Sequence, residues 1–280
     1  MALRTVQDII TGRPGMDGAG VKLTRVLSNG TVKAFDPFLM LDAFDSTNPD
    51  DYTRGFPMHP HRGIETLTYL VEGTIEHEDS LGNKGVIHSG CCQWMTAGSG
   101  ILHQEMPKAS PHMFGLQLWI NLPRVKKMVS PAYRDITASQ IPMLCEASAD
   151  ILVVAGAYKG TPGAAKSDYT HITFLDVTVR PGQTWNLPTD PEKTLFIYTF
   201  SGECRVEGTE QLLGPKRAVL CANGDSFSVT ASEAGARFVL ATGKPLREPV
   251  EWGGPIVMNT AEELRTAFIE LDEGTFIKHA

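Results

Sequence analysis

Two pairs of residues in the first half of this 280-residue chain are the ones that could do chemistry together. The first is His59-Pro60-His61, within Phe56-Pro57-Met58-His59-Pro60-His61-Arg62-Gly63-Ile64-Glu65. The second is His103-Gln104-Glu105, which follows the glycine-rich Ala97-Gly98-Ser99-Gly100. In a β-strand, residues two apart point to the same face, so each pair presents both of its side chains on one side. Two such pairs on short strands aim three imidazoles and a carboxylate at one point. Imidazole suits iron, copper, nickel and zinc, and a carboxylate adds the negative charge that helps to hold a divalent ion. Four protein ligands on a six-coordinate ion leave neighbouring positions for oxygen and an organic substrate, whereas a tetrahedral structural zinc leaves none. Glu65 competes with Glu105 for the carboxylate role. It shares the parity of His59 and His61 if the strand stays regular, and its other role would be to orient a ligand; parity leaves the choice open. Phe56, Met58 and Arg62 flank the histidines and are candidates for lining a pocket.

Such pairs need short strands to carry them, and the chain is patterned for strands. Gly 27 and Pro 18 speak for many turns and a β-rich fold rather than a helix bundle. Residues 21–27 alternate, Ser28-Asn29-Gly30 reads as a hairpin turn, and 31–35 reads as the returning strand. A short buried run at 37–41 and a polar loop at 46–51 follow. Strands are expected at 66–71 and 74–78, a turn at 80–85, and a strand at 114–120. From Pro123 to Ala149 the pattern weakens, which marks a connector. Strands resume at 151–158, 171–179, 194–200, 218–221 and 237–240. The second half resembles a worn copy of the first: Tyr69-Leu-Val-Glu-Gly73 matches Tyr198-Thr-Phe-Ser-Gly202, and the segment after Gly90 matches the one after Gly224. The expectation is two tandem β domains, 1–133 and 134–280. One helix is signalled by the capping box Thr260-Ala-Glu-Glu263, with Leu264, Phe268 and Leu271 as its apolar stripe and Gly274 as its end.

Composition removes several classes. A hydrophobic content of 42% with 20% charged residues excludes global disorder. Lys plus Arg number 25 against 32 Asp plus Glu, a formal charge of −7, so direct nucleic-acid binding through phosphates is not expected. The first ten residues carry polar side chains where a signal peptide needs an apolar stretch, and no apolar run has bilayer length. The expectation is a cytoplasmic protein with no membrane partner. Cys91, Cys92, Cys145, Cys204 and Cys221 include no C-x-x-C pair and read as buried free thiols. Gly98-Ser99-Gly100 is not a nucleophile elbow, and no phosphate-binding or dinucleotide fingerprint is present.

At its histidines the sequence resembles the cupin superfamily, and within it the pirin family. The general pattern appears as His59-Pro-His61, Glu65, Gly73 and Gly100-Ile-Leu-His103. The more specific words are His59-Pro-His-Arg-Gly-Ile-Glu-Thr66, Met95-Thr-Ala-Gly-Ser-Gly-Ile-Leu-His103 and Gln104-Glu-Met-Pro107. Asp36-Pro-Phe-Leu-Met-Leu41, Gly115-Leu-Gln-Leu-Trp-Ile-Asn-Leu122 and Glu251-Trp-Gly-Gly-Pro-Ile-Val-Met-Asn259 also look like that family, so the resemblance spans nearly the whole chain. It implies an all-β fold of two tandem cupin (double-stranded β-helix, or jelly-roll) barrels with a short C-terminal helix. It implies one divalent transition metal per chain, Fe(II) first with Ni, Cu, Mn or Zn as alternatives. It places the metal on His59, His61, His103 and Glu105 and so decides for Glu105 over Glu65. The second barrel is expected to hold no metal: carrying the repeat across puts His59 and His61 opposite Pro188 and Asp190, and His103 and Glu105 opposite Arg237 and Val239. The activity implied is that of a quercetin 2,3-dioxygenase, which opens a flavonol with O2 and releases carbon monoxide; the expected base is Glu105, or another group within hydrogen-bond reach of the substrate hydroxyl. The alternative is a non-enzymatic, iron-dependent redox or ligand sensor acting on a regulatory protein partner. A phosphosugar isomerase would need a basic cluster at the site, and only Arg62 is near in sequence.

Overall fold

The structure is a computed structural model that describes residues 2–279. The chain forms two compact units. One collects the residues up to Gly12, Lys33–Pro37 and Ser139–Pro245; the other collects Arg13–Val32, Phe38–Ala138 and the residues from Leu246 on. This division differs from the expected 1–133 and 134–280, because each end of the chain folds with the opposite half. The strand Val6–Thr11 pairs with Arg217–Cys221, and the C-terminal helix belongs to the unit that carries the histidines.

Two antiparallel sheets make up most of that unit, which also holds the short pair Glu251–Gly253 with Ile256–Met258. The larger runs in the order Ala132–Ile136, Cys92–Thr96, Ile64–Glu72, Met113–Asn121, Phe38–Ser46, Val21–Leu27, Arg13–Asp17. The smaller runs Phe56–His61, Ile101–Pro107, Thr74–Asp79, Lys84–His88. Strand Ile101–Pro107 buries every second residue, the alternation expected of a strand with one face inward. Strand Ile64–Glu72 is buried on both faces through Leu70, and β-branched and apolar residues dominate it. Leu39, Ile64, Met95, Ile101 and Val257 form a cluster at 0–1% exposure, where each large aliphatic side chain contributes roughly 1.5–3 kcal/mol by leaving water.

Gly63 separates the two strands that the sequence pattern ran together. Its φ is 79°, and any side chain there would collide with the Val257 carbonyl. Before it, Phe56–His61 lies in the smaller sheet; after it, Ile64–Glu72 lies in the larger. The parity that linked His59 and His61 to Glu65 is therefore broken at this glycine.

Two further expectations are corrected. Residues 29–35 are helical, not a hairpin and a strand. Neither Asn29 nor Gly30 has the positive φ that a two-residue hairpin turn needs. Instead the Ser28 amide donates to Thr31 Oγ1 at 3.0 Å, and that hydroxyl donates back to the Ser28 carbonyl at 2.8 Å. The expected connector is also partly strand: Ala132–Ile136 pairs with Cys92–Thr96, and Met143–Cys145 pairs with Ala149–Ala155.

The other unit is mainly one eight-stranded antiparallel sheet, beside the short pair Ala157–Tyr158 with Thr161–Pro162, and Trp185, Phe227, Val229 and Phe238 lie in its core at 0–1% exposure. Its strand pairing corrects the sequence register between the halves. Ser226–Gly243 is a single bent strand: its first part pairs with Thr184–Pro188, as Ile101–Pro107 pairs with Phe56–His61, and its last part pairs with Thr173–Val179, as Met113–Asn121 pairs with Phe38–Ser46. By topology, then, the strand of His103 and Glu105 corresponds to the Phe227–Val229 segment and not to Arg237 and Val239.

The C-terminal helix Ala261–Asp272 starts as expected. Thr260 Oγ1 accepts from the Glu263 amide at 3.2 Å and Glu263 Oε2 accepts from the Thr260 amide at 3.0 Å, a cap that contributes about 1 kcal/mol. Ala267 is its buried residue, Leu264 and Leu271 pack beside it, and Phe268 is 39% exposed rather than part of the buried stripe. Cys92, Cys204 and Cys221 are buried free thiols, and burial pushes each up to about 12. Cys91 is half-buried and Cys145 exposed, which departs from the expectation that all five are buried. Among the described residues no helix is long and apolar enough to cross a membrane.

Candidate metal centre

The strands that carry the histidines are neighbours. His103 on Ile101–Pro107 stands directly opposite His59 on Phe56–His61, and the pleat puts His61 on the same side as His59. The ring centroids lie 4.4 Å (His59–His103), 4.8 Å (His59–His61) and 5.0 Å (His61–His103) apart. One ring nitrogen from each lies within 4.8 Å of the other two.

The hydrogen bonds around the rings define what the cluster can take. His59 Nδ1 faces the Pro57 carbonyl at 2.9 Å, and His61 Nδ1 faces the Pro255 carbonyl at 3.2 Å. Carbonyls only accept, so both rings carry their proton on Nδ1 and leave Nε2 as an acceptor. Those two Nε2 atoms face each other at 3.0 Å. Burial holds His61 neutral, pushing its pKa down to about 3, so it brings no second proton to that contact. His103 is completely buried, and neither of its ring nitrogens has a hydrogen-bond partner. A buried polar atom left so costs about 1–3 kcal/mol. Ring nitrogens converging from three imidazoles, one of them buried without any hydrogen-bond partner, fit a cation and specifically a borderline transition metal.

Glu105 is brought close but not into this cluster. A register slip between His103 and Glu105 puts it opposite Phe56. Its Oε2 accepts from Gln117 Nε2 at 2.8 Å and its Oε1 from Thr68 Oγ1 at 3.2 Å. Gln117 is in turn fixed by Trp119 Nε1, which donates to its Oε1 at 3.1 Å. Glu105 is 3% exposed and lines the same cavity as His59 and His61. Glu65 lies elsewhere: its Oε1 accepts from Trp94 Nε1 at 3.0 Å and from Thr96 Oγ1 at 2.8 Å.

The cavity has a volume of about 530 Å³, within the range of small-molecule sites. Phe44, Phe56, Trp119 and Trp252 make its apolar walls. Of the flanking residues named from sequence, Phe56 lines it, while Met58 is 46% exposed and Arg62 points away. Arg62 Nε donates to the Ser99 carbonyl at 2.6 Å, Nη2 to the Phe276 carbonyl at 2.8 Å, and Nη1 pairs with Glu270 at 2.7 Å.

The two halves match two family models, Pirin over residues 20–120 and the Pirin C-terminal cupin domain over residues 174–277. Human pirin is 38% identical over 265 residues, 93% of this chain and 90% of its own. The chain belongs to the pirin family. A Pseudomonas aeruginosa pirin relative, provisionally named a quercetin 2,3-dioxygenase, is 41% identical over 278 residues, 97% of each chain. The crystal structure of quercetin 2,3-dioxygenase from Acinetobacter baumannii superposes with a TM-score of 0.89 at 32% identity, covering 98% of this chain and 99% of that one. The two-cupin fold expected from the sequence is thus the fold of the pirin family.

Sequence reasoning missed an ion cluster on the cavity wall. Arg25 donates through Nε and Nη2 to both oxygens of Asp42 at 2.9 and 2.7 Å, and through Nη2 to Asp17 at 2.7 Å. The Asp42 hydrogen bond raises Arg25 above its ordinary value. Burial raises Asp42, with Arg25 opposing. Burial would raise Asp17 as well, but its bonds from Arg25 and the Gly18 amide hold it below the ordinary range. The signal was in the chain: Arg25 has the parity of Val21, Leu23 and Leu27, and Asp42 interrupts the buried run 38–44.

Proposed function

We propose that this chain is a metal-dependent dioxygenase of the quercetin 2,3-dioxygenase type, acting on a flavonol-like aromatic and O2. The observation that carries the reading is the His59–His61–His103 cluster, with its buried and unpartnered His103, opening onto an aromatic-walled cavity. The A. baumannii neighbour, which bears that enzyme's name, supports the reaction class.

His59, His61 and His103 would hold the ion. A divalent transition metal there would offer open positions to a substrate hydroxyl and to O2 and would lower that hydroxyl's pKa. The remaining work falls to the chain. Glu105, held by Gln117 and Thr68, accepts the proton of the substrate hydroxyl. As a fourth ligand, Glu105 would add its carboxylate to the three imidazoles while keeping those two donors, since each oxygen accepts about two hydrogen bonds. Trp119 fixes Gln117 and so fixes the carboxylate. Phe44, Phe56, Trp119 and Trp252 sandwich a flat ring and keep bulk water from the reacting atoms. The donor set does not choose the metal; Fe(II) is proposed, with nickel, copper, manganese and zinc accepted by the same atoms.

Elemental analysis of the purified protein followed by an oxygen-electrode assay with quercetin tests the reading. Stoichiometric O2 uptake with carbon monoxide release is expected. Metal-loaded protein that takes up no oxygen with any flavonol would refute it and leave the metal as a sensor of redox state or ligand.

A further inference from the structure

We infer that the Asp17–Arg25–Asp42 cluster selects the substrate, requiring an uncharged ring bearing hydroxyl donors and rejecting carboxylates. The inference rests on the proposed flavonol reading and adds which residues, away from the histidines, recognise the molecule.

The charged groups lining the cavity besides the histidines are Asp17, Asp42, Glu105 and Arg25. The lining thus carries three carboxylates and one guanidinium. An arginine in a cavity would ordinarily attract an anion, but three of the five N–H groups of this one are already engaged, Nε and Nη2 by Asp42 and Nη2 also by Asp17, and its charge is outnumbered by the carboxylates. Asp42 is the buried partner, its side chain 5% exposed, and the pair is bidentate, so the guanidinium is fixed in place.

The carboxylates keep more accepting capacity than the guanidinium keeps donors. Each carboxylate oxygen can accept about two hydrogen bonds. Asp42 Oδ1 accepts one from Arg25 Nε and Asp42 Oδ2 one from Arg25 Nη2. Asp17 Oδ2 accepts one from Arg25, and Asp17 Oδ1 one from the Gly18 amide at 2.8 Å. The charged wall therefore offers a ligand more acceptors than donors. The same cavity carries the aromatic rings of Phe44, Phe56, Trp119 and Trp252. A flat ring sits well there if its rim carries hydroxyls that donate. A ligand carboxylate has only acceptors and brings a negative charge to a wall that already has an excess of it, a penalty enlarged by partial burial.

The experiment is calorimetric titration of metal-loaded protein under nitrogen, so that binding is read without turnover. The probes are quercetin, 3-hydroxyflavone, which lacks the other ring hydroxyls, and 1-naphthoate, an aromatic carboxylate. Quercetin is expected to bind about tenfold or more tighter than 3-hydroxyflavone, the effect of one charge-assisted hydrogen bond, and 1-naphthoate more weakly than either. Asp17 is half-exposed, so Asp17→Asn should fold; it keeps the Arg25–Asp42 pair and should cut the quercetin preference severalfold. Equal affinity for quercetin and 3-hydroxyflavone would overturn the selection while leaving the flavonol reading intact. So would tighter binding of 1-naphthoate, or an unchanged preference in Asp17→Asn. Binding of neither flavonol would remove the flavonol reading itself, and this inference with it.

Discussion

The guanidinium of Arg62 lies 4.1 Å from the centroid of the Phe276 ring and donates to the Phe276 carbonyl at 2.8 Å. His61 faces the cavity, so its neighbour in the strand faces the other way, and there Arg62 fastens the C-terminal segment to the histidine strand. Arg62 is 2% exposed, and its partners are Glu270, Ser99 and Phe276. Arg62→Ala leaves those acceptors without their donor. Loss of one member of a largely buried pair is expected to cost about 3 kcal/mol. A lowered urea midpoint is expected, together with weaker metal retention, because the strand of His59 and His61 loses its backing. An unchanged midpoint would show the fastening to be passive.

Metal binding should be visible as stability. An ion that binds only the folded chain stabilises it by about 4 kcal/mol at a thousand times its Kd. Thermal melts of stripped protein with added Fe(II), Ni(II) or Mn(II) should shift upward for the wild type. His103→Ala should melt at the same temperature with and without metal, and elemental analysis should find it metal-free. Replacing a buried, unpartnered imidazole by a methyl should cost the stripped protein little, since the polar atoms that lacked partners leave with it. A metal-dependent shift surviving in His103→Ala would dismiss this residue from the site.

The histidines were legible because both H-x-H and H-x-E sit on one strand face each, and alternation survives wherever a strand runs unbroken, as in Ile101–Pro107. Glu65 was ambiguous because nothing in local spacing announces that the chain changes sheets at Gly63; the collision that demands glycine there is with Val257, nearly two hundred residues along the chain. The same limit hid the exchange of the chain ends between the units. Asn29-Gly30 misled because Thr31 supplies a hydroxyl that closes a helical turn on Ser28. The repeat register slipped because the second half carries as one strand, Ser226–Gly243, what the first half carries as two.

A small pH dependence should come from the surface. His112 Nε2 contacts Asp45 Oδ1 at 2.7 Å, and its Nδ1 contacts Glu72 Oε2 at 3.1 Å. The hydrogen bond to Asp45, then that to Glu72, raises its pKa, with burial opposing. A histidine raised in the folded state stabilises it fully below its unfolded value of about 6.5, and the contribution fades as pH climbs through the raised value. The side chain is 27% exposed and both partners are more so, so the effect should stay below about 1 kcal/mol. His112→Gln should therefore lower the melting temperature near pH 6 and leave it close to wild type at about pH 9. An equal loss at both values would assign the effect to packing instead.

Glu105 is the residue whose role substitution can separate. Its carboxylate stands outside the three-histidine cluster and is held by Gln117 and Thr68. Glu105→Gln keeps the shape and one acceptor oxygen but removes the base. The expected result is metal content near that of the wild type with turnover of quercetin reduced about 10²–10⁴-fold, the usual contribution of a positioned base. Gln117→Leu should act in the same direction and more weakly, since it frees the carboxylate without removing it; its metal content should also be unchanged. A smaller loss in kcat for Gln117→Leu, with a shifted pH profile, would mark Gln117 as the residue that positions the base. Loss of the metal in Glu105→Gln would instead place the carboxylate on the ion, and the proton of the substrate hydroxyl would then need another acceptor.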